Sequence, residues 1–384
     1  MSASPYIPYA RQSIVEEDLD AVVDQLQSLW VTQGPKIEEF ESSVSEYVGS
    51  AHAIAVSSCT AALHLACLAL KIGKGDLLWT VPNTFVASSN CGLYCGAEVD
   101  FVDIDARTLC MDVDALALKL EQAQELAKLP SVLVAVHFSG SSCDMERIFQ
   151  LSKKYGFKVI EDAAHAIGGT YNELKVGSCK YSDITVFSFH PVKILTTGEG
   201  GMLVTNDENL AKRVRKLRTH GIVRDDACLE VGAWYYEMEE MGYHYRMTDI
   251  QAALGCSQMK RLDAFVARRK ELVQYYNEQL SGLPLILPTE AEGISSSWHL
   301  YVIQVQSDRI SRKEVFDFMR EKNVIVNVHY IPVYWQPFYE KLGFHRGYCP
   351  VSENYYENAI SIPLFYDLKK KEQDRVIELL KSIL

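Results

Sequence analysis

The chain has 384 residues, 48% of them hydrophobic and 23% charged, which excludes a disordered chain and is length enough for roughly two or three domains. Thirty-eight Lys and Arg against 50 Asp and Glu leave a formal charge of −12. With no cationic block, nucleic acid and anionic membrane surfaces are disfavoured as partners.

The opening Met1-Ser-Ala-Ser-Pro-Tyr-Ile-Pro8 has no basic start and no apolar stretch. No run approaches the length of about 18 apolar residues that a membrane span needs, so neither a signal peptide nor a span is expected and the expected address is the cytoplasm. Helical spacing follows over Ile14 to Leu29, then a turn at Thr32-Gln-Gly-Pro35 and a second helix over Ile37 to Tyr47. Ala53 to Val56 reads as a strand that breaks at Ser57-Ser58-Cys59-Thr60 into the helical run Ala61 to Leu70, stopped by Gly73 and Gly75. Leu77 to Val81, Glu98 to Val102, Ser131 to His137, Lys158 to Ile160, Ile184 to Phe189 and Met202 to Thr205 are further candidate strands, with helical patterns mostly between them. That alternation predicts an α/β chain with a large, mostly parallel sheet. A helix over Asn209 to Thr219 leads into an irregular aromatic stretch over 222–245, and one long helix is expected from Thr248 to about Leu280. Leu300 to Val305 and Val324 to Val328 then suggest strands of a small C-terminal α+β domain, giving expected domains of 1–255 and 256–384. The ten cysteines include no CxxC pair and read as thiols of a reducing compartment.

Four stretches carry chemistry. Lys193, in Ser188-Phe-His-Pro-Val-Lys193, directly follows a strand and suits Schiff-base formation if its amine is neutral, although a surface turn lysine would look the same. Asp162 ends the strand of Val159-Ile-Glu-Asp162, where an open sheet presents ligands; it is suited either to a ring nitrogen or to capping the next helix. Ser57 to Thr60 form a strand-to-helix turn able to hold a phosphate or merely to cap. Phe85, in Pro82-Asn-Thr-Phe85, is either a stacking ring or core. A nucleophilic lysine, an acidic partner, a phosphate turn and an aromatic ring at the strand ends of one sheet are together what pyridoxal 5′-phosphate requires. No HExxH, paired-cysteine, P-loop or GxGxxG pattern competes with that reading, and no metal is expected.

Across nearly its whole length the chain resembles the DegT/DnrJ/EryC1/StrS sugar aminotransferases, of aspartate aminotransferase fold type I. The resemblance is carried by Thr32-Gln-Gly-Pro, Ser58-Cys-Thr-Ala-Ala-Leu, Asn83-Thr-Phe-Val-Ala, Glu161-Asp-Ala-Ala-His, Ser188-Phe-His-Pro-Val-Lys, Thr197-Gly-Glu-Gly-Gly and Gly242-Tyr-His-Tyr-Arg-Met-Thr-Asp-Ile-Gln. It implies Lys193 as the cofactor-bonding lysine, Asp162 as the pyridinium partner, Thr60, Ala61 and Ser188 at the phosphate, Phe85 as the stacking ring and His165 beside the pyridine. His220-Gly-Ile-Val-Arg-Asp225 and Trp234-Tyr-Tyr-Glu237 look most like the UDP-4-amino-4,6-dideoxy-N-acetyl-β-L-altrosamine transaminases of pseudaminic acid biosynthesis. This subgroup implies L-glutamate and a UDP-linked 4-keto-6-deoxy sugar as substrates. It also implies sugar-nucleotide contacts at Tyr9, Leu29, Trp30, Val31, Thr32, Asn327, Val328, His329 and Tyr330, and a homodimer with shared sites. One position departs from the family. His244 stands where relatives usually carry the Asn that reaches the neighbouring subunit's phosphate, and its reach and charge differ. Another nucleotide 4-keto-6-deoxysugar, or a non-catalytic cofactor-binding regulator on the same fold, are the alternatives; the intact Lys193, Asp162 and His165 speak against the regulator.

Overall fold

The sheet that organises the molecule has seven strands, in the spatial order His52–Val56, Gly201–Thr205, Ile184–Ser188, Lys158–Asp162, Val132–Val136, Leu77–Thr80 and Glu98–Phe101. The computed structural model describes residues 6–384, apart from the side chain of Leu229; the polar Met1–Pro5 opening lies outside the described residues. Only Gly201–Thr205 runs against its neighbours, so the other six strands point the same way. Their carboxyl ends therefore share one edge, which is where open α/β sheets hold ligands.

Both faces of this sheet are covered, which is why its strands read as apolar runs. Ile54, Val56, Ile184, Val186 and Leu203 enter one core cluster. Their alternating neighbours Ala53, Ala55, Phe187, Met202 and Val204 enter another with Phe40, Val44 and Phe265. The two-residue alternation of a strand thus divides one sequence between two cores. A smaller antiparallel sheet, Leu285–Ile286, Tyr301–Val305 and Ala359–Ile362, packs with the helices Arg312–Glu321 and Lys370–Ile383. No helix among the described residues is long and apolar enough to cross a membrane.

The structure differs from the sequence reading at three places. The stretch expected as one helix from Thr248 is two, Asp249–Met259 and Leu262–Leu280. No glycine or proline lies at the break. Instead Arg261 donates to the Ser13 carbonyl and to the buried Asp18 carboxylate, which Gln258 also contacts at 2.8 Å. Tertiary anchoring of the N-terminal helix Glu16–Gln27 overrides local propensity there. Val324 to Val328 is not a strand. Val324 bridges to Ile7 and Asn327 to Ser361, so the segment changes partner before a ladder can form. Finally, no clean cut falls at residue 255. Leu262, Phe265 and Val266 join the core of the large sheet, whereas Leu272, Val273, Tyr276 and Leu280 of the same helix join the C-terminal core, together with Ile7.

Arg269 lies midway along that shared helix. Its guanidinium is buried and Nη1 donates to the carbonyls of Trp298, His299 and Leu364 at 3.1, 3.2 and 3.1 Å. Burial pulls its pKa down to about 10, so it remains charged at neutral pH. It ties its own helix to two other segments, 298–299 and the chain at Leu364. Replacing it by Met leaves buried carbonyls without donors, each costing about 1–3 kcal/mol. Arg269→Met is therefore expected to lower the thermal unfolding midpoint by several degrees, measured by circular dichroism; an unchanged midpoint would contradict the role.

Candidate active site

A cavity of about 620 Å³ opens at the shared carboxyl edge. Lys193 lines it from the turn after Ile184–Ser188, where its N–H donates to the His190 carbonyl at 2.9 Å. The surroundings desolvate the amine and lower its pKa to about 8, although Cys59 and Asp162 act in the opposite direction. A lysine in an open turn would not be so placed, and a neutral amine is the nucleophilic form.

Asp162 lines the same cavity from the end of Lys158–Asp162. No helix follows it directly, so it is not a helix cap. Its Oδ1 accepts the Ala164 N–H at 3.1 Å and its Oδ2 accepts the Ser88 hydroxyl at 2.6 Å. His165 is buried, and its Nδ1 accepts the Ser139 N–H at 3.3 Å. The ring proton then sits on Nε2, which lies 3.3 Å from the Tyr330 hydroxyl. Burial, with Lys193 and His329 adding to it, holds His165 far below the usual histidine range. His329 is lowered to about 3, again mainly by burial and then by Lys193. These imidazoles are neutral hydrogen-bonding groups at physiological pH.

Thr60, Ser188 and Phe85 also line the cavity, and Phe85 is 60% exposed, so it is not a core residue. The helix Cys59–Ala69 begins here with Ser58 as its N-cap, accepting the Ala61 N–H at 3.1 Å. That bond occupies the Ala61 amide, and Ala61 does not line the cavity. A side chain at Gly201, on the neighbouring strand, would place its Cβ 2.5 Å from the Ser58 carbonyl carbon and 2.6 Å from the Cys59 nitrogen. Only glycine leaves this helix start undistorted.

Tyr9, Asn327, Val328, His329 and Tyr330 line the cavity. Leu29, Trp30, Val31 and Thr32 do not: Leu29 is 96% exposed, and Thr32 pairs with Thr248 away from the pocket. His244 is likewise exposed outside the cavity of its own chain, bridged to Thr219 with its ring 5.5 Å from that of His220. Sequence reasoning missed Thr84 and Ser88, which line the cavity, and His299, whose ring lies 4.4 Å from that of His165. The Thr84–Ser88 pair had a readable signal in two hydroxyls four residues apart at a helix start; His299 had none.

An amine near neutrality, a fixed carboxylate, a helix N-terminus walled by glycine and an exposed aromatic ring converge on one pocket. These residues fit pyridoxal phosphate. The family model for the DegT/DnrJ/EryC1/StrS aminotransferases matches residues 12–381. The chain belongs to that family. It is 40% identical to the spore coat polysaccharide biosynthesis protein SpsC of Bacillus subtilis, over 98% of this chain and 97% of that one. It is 36% identical to the UDP-4-amino-4,6-dideoxy-N-acetyl-β-L-altrosamine transaminase of Campylobacter jejuni, over 98% and 97%. Among solved structures, the sugar aminotransferase Spr1654 of Streptococcus pneumoniae in its PMP form superposes with a TM-score of 0.90 at 32% identity, over 98% of both chains, and is also known in a PLP form. The chain is thus a pyridoxal-phosphate-dependent sugar aminotransferase of fold type I.

Two outcomes follow from this geometry. Capture of pyridoxal phosphate by the apo-protein, followed by absorbance, is expected to accelerate as pH rises through about 8, not through the ordinary lysine range, because the neutral amine is the reactive form. Gly201→Ala is expected to weaken retention of the cofactor by about 10-fold or more in equilibrium dialysis, since the clash displaces the helix start that lines the cavity.

Proposed function

We propose that this aminotransferase moves an amino group from L-glutamate to C4 of a UDP-4-keto-6-deoxy-N-acetylhexosamine. The product would be UDP-4-amino-4,6-dideoxy-N-acetyl-β-L-altrosamine, made in the cytoplasm for pseudaminic acid. The observation that carries this reading is the match, over 98% of the chain, to the Campylobacter transaminase. The 40% identity to the Bacillus polysaccharide protein favours a second reading, in which another nucleotide 4-keto-6-deoxysugar is the acceptor.

Bound pyridoxal phosphate supplies an electron sink for the negative charge that develops at the reacting carbon. In our reading Lys193 anchors it, and once free, the Lys193 Nζ takes the proton from the substrate carbon and returns it. The lowered basicity of that amine suits it to both tasks at neutral pH. Asp162 would hold the ring nitrogen's proton, Ser188 and the Ser58–Thr60 turn would meet the phosphate, Phe85 would cover the ring and His165 would lie beside it. Tyr9 and Asn327 to Tyr330 orient the sugar nucleotide.

The charge of the pocket supports a homodimer. Among the described lining residues Lys193 is the sole lysine or arginine, against Asp162 and Glu199. Phosphate, glutamate and a nucleotide diphosphate are all anions, so one chain leaves them under-compensated. Exposed Arg224 and His244 lie on the same segment as Trp234, which is 78% exposed, and Leu29 to Val31 form a further exposed apolar ridge. A second copy covering these patches would bring the Arg224 cation and the His244 imidazole to the site.

Turnover of glutamate to 2-oxoglutarate with a panel of UDP-, dTDP- and GDP-4-keto-6-deoxysugars tests the function. Preference for the UDP-N-acetyl substrate supports the first reading, preference for another nucleotide supports the second, and no turnover with any sugar refutes both. Lys193→Ala is expected to abolish turnover, and Asp162→Asn to retain cofactor but lose on the order of 100-fold or more in kcat. Full activity in a species that sediments as a monomer would refute the shared site.

A further inference from the structure

We propose that Ser88, backed by Thr84, is the positioning residue that holds the Asp162 carboxylate for the ring nitrogen of the cofactor. The inference rests on the cofactor reading above and concerns two side chains to which that reading gives no role.

Thr84, Ser88 and Asp162 form a chain of short contacts. Thr84 Oγ1 lies 2.7 Å from Ser88 Oγ, and Ser88 Oγ lies 2.6 Å from Asp162 Oδ2. Both hydroxyls line the cavity, yet Thr84 is 4% and Ser88 1% exposed. Each hydroxyl has one proton to give, and an ionised carboxylate can only accept. The Ser88 proton therefore goes to Asp162. Its other acceptor, the Phe85 carbonyl, is more distant at 3.3 Å and uncharged. Thr84 must then be the donor to Ser88, so the direction of the whole chain is set: Thr84 to Ser88 to Asp162. Each bond polarises the next toward the carboxylate.

The geometry gives Ser88 a definite task. The Ala164 N–H holds Oδ1 and the Ser88 hydroxyl holds Oδ2, which together fix the rotation of the carboxylate plane. Ser88 itself is fixed by the first turn of the helix Ala87–Tyr94, where its N–H donates to the Phe85 carbonyl at 3.2 Å. Removing the hydroxyl frees that rotation and leaves a lone pair of Oδ2 unfilled. The bare lone pair then competes with the ring nitrogen for the proton the two share, and the charged ring is held less well.

The test uses the full-length apo-protein and two probes, pyridoxal phosphate and its 1-deaza analogue, in which a CH group replaces the ring nitrogen. Binding of each is measured at equilibrium from the absorbance of the probe. Ser88→Ala is expected to raise the Kd for pyridoxal phosphate about 10-fold, the loss expected for one charge-assisted hydrogen bond. It should leave the Kd for the carbon analogue within about 2-fold, because Asp162 has no proton to hold there. Ser88→Thr, which keeps the hydroxyl, should restore binding of pyridoxal phosphate. In turnover, kcat should fall while KM for the sugar changes little. Thr84→Val provides a second variant should Ser88→Ala fold poorly; it should weaken pyridoxal phosphate by about 3-fold and the analogue not at all. Equal weakening of both probes would show a purely structural role and overturn the proposal, as would no weakening of either. Failure of the wild-type apo-protein to bind either probe would overturn the cofactor reading itself and this inference with it, a result distinct from equal binding by wild type and variant.

Discussion

A carboxylate buried at the carboxyl end of a parallel strand is the constraint around which this structure is arranged. Burying such a charge without partners costs several kcal/mol. The structure meets that cost locally, with a backbone N–H on one oxygen of Asp162 and a serine hydroxyl on the other. The N–H comes from Ala164, two residues beyond Asp162 itself, but the hydroxyl comes from the first turn of the helix Ala87–Tyr94 that follows Leu77–Thr80, and it reaches the carboxylate because the carboxyl ends of the two strands share one edge. The same edge delivers Lys193, and the lysine and aspartate face one cavity because six strands run in parallel.

On and just behind the cavity wall the protein keeps charge low. His165, His299 and His329 are all pushed toward their neutral forms, chiefly by burial, and Lys193 is eased toward neutrality by the same cause. His137 and Glu161 are a close buried pair at 2.7 Å on the neighbouring strands, and Ser182 and Thr185 also donate to that glutamate. The His137–Glu161 pair is thus satisfied within the protein, whereas His299 Nδ1 is buried without a hydrogen-bond partner. The electrostatic deficit is left at the mouth, where the ligands and, in our reading, a second chain meet it.

Much of this was legible in the sequence, for identifiable reasons. Uninterrupted apolar runs such as Val132–Val136 can only be buried strands, and the turn residues between Val56 and Ala61 mark where a strand becomes a helix. Lys193 and Asp162 were readable because each directly ends or follows such a run. Illegible features depend on partners distant in the chain. The helix break at Arg261 is produced by Ser13 and Asp18, more than 240 residues away. Val324 to Val328 has strand-like composition but meets Ile7 at one end and Ser361 at the other. His299 is an ordinary residue before a strand until the fold lays it against His165.

The contact of Ile7 with the C-terminal core carries a consequence for biosynthesis. Ile7 exchanges backbone hydrogen bonds with Asn323 and Ile325, and the Tyr9 carbonyl accepts from Leu364. On the ribosome the first of these residues emerges when the last have not been made. The segment carrying Tyr9, which lines the pocket, must wait for residues more than 300 positions later to supply the surface that receives it. The large sheet can assemble from residues 52–205 while the chain is still growing, but the pocket acquires its Tyr9 wall only after residues 323–364 have emerged, so folding of the sheet and completion of the pocket are separated in time.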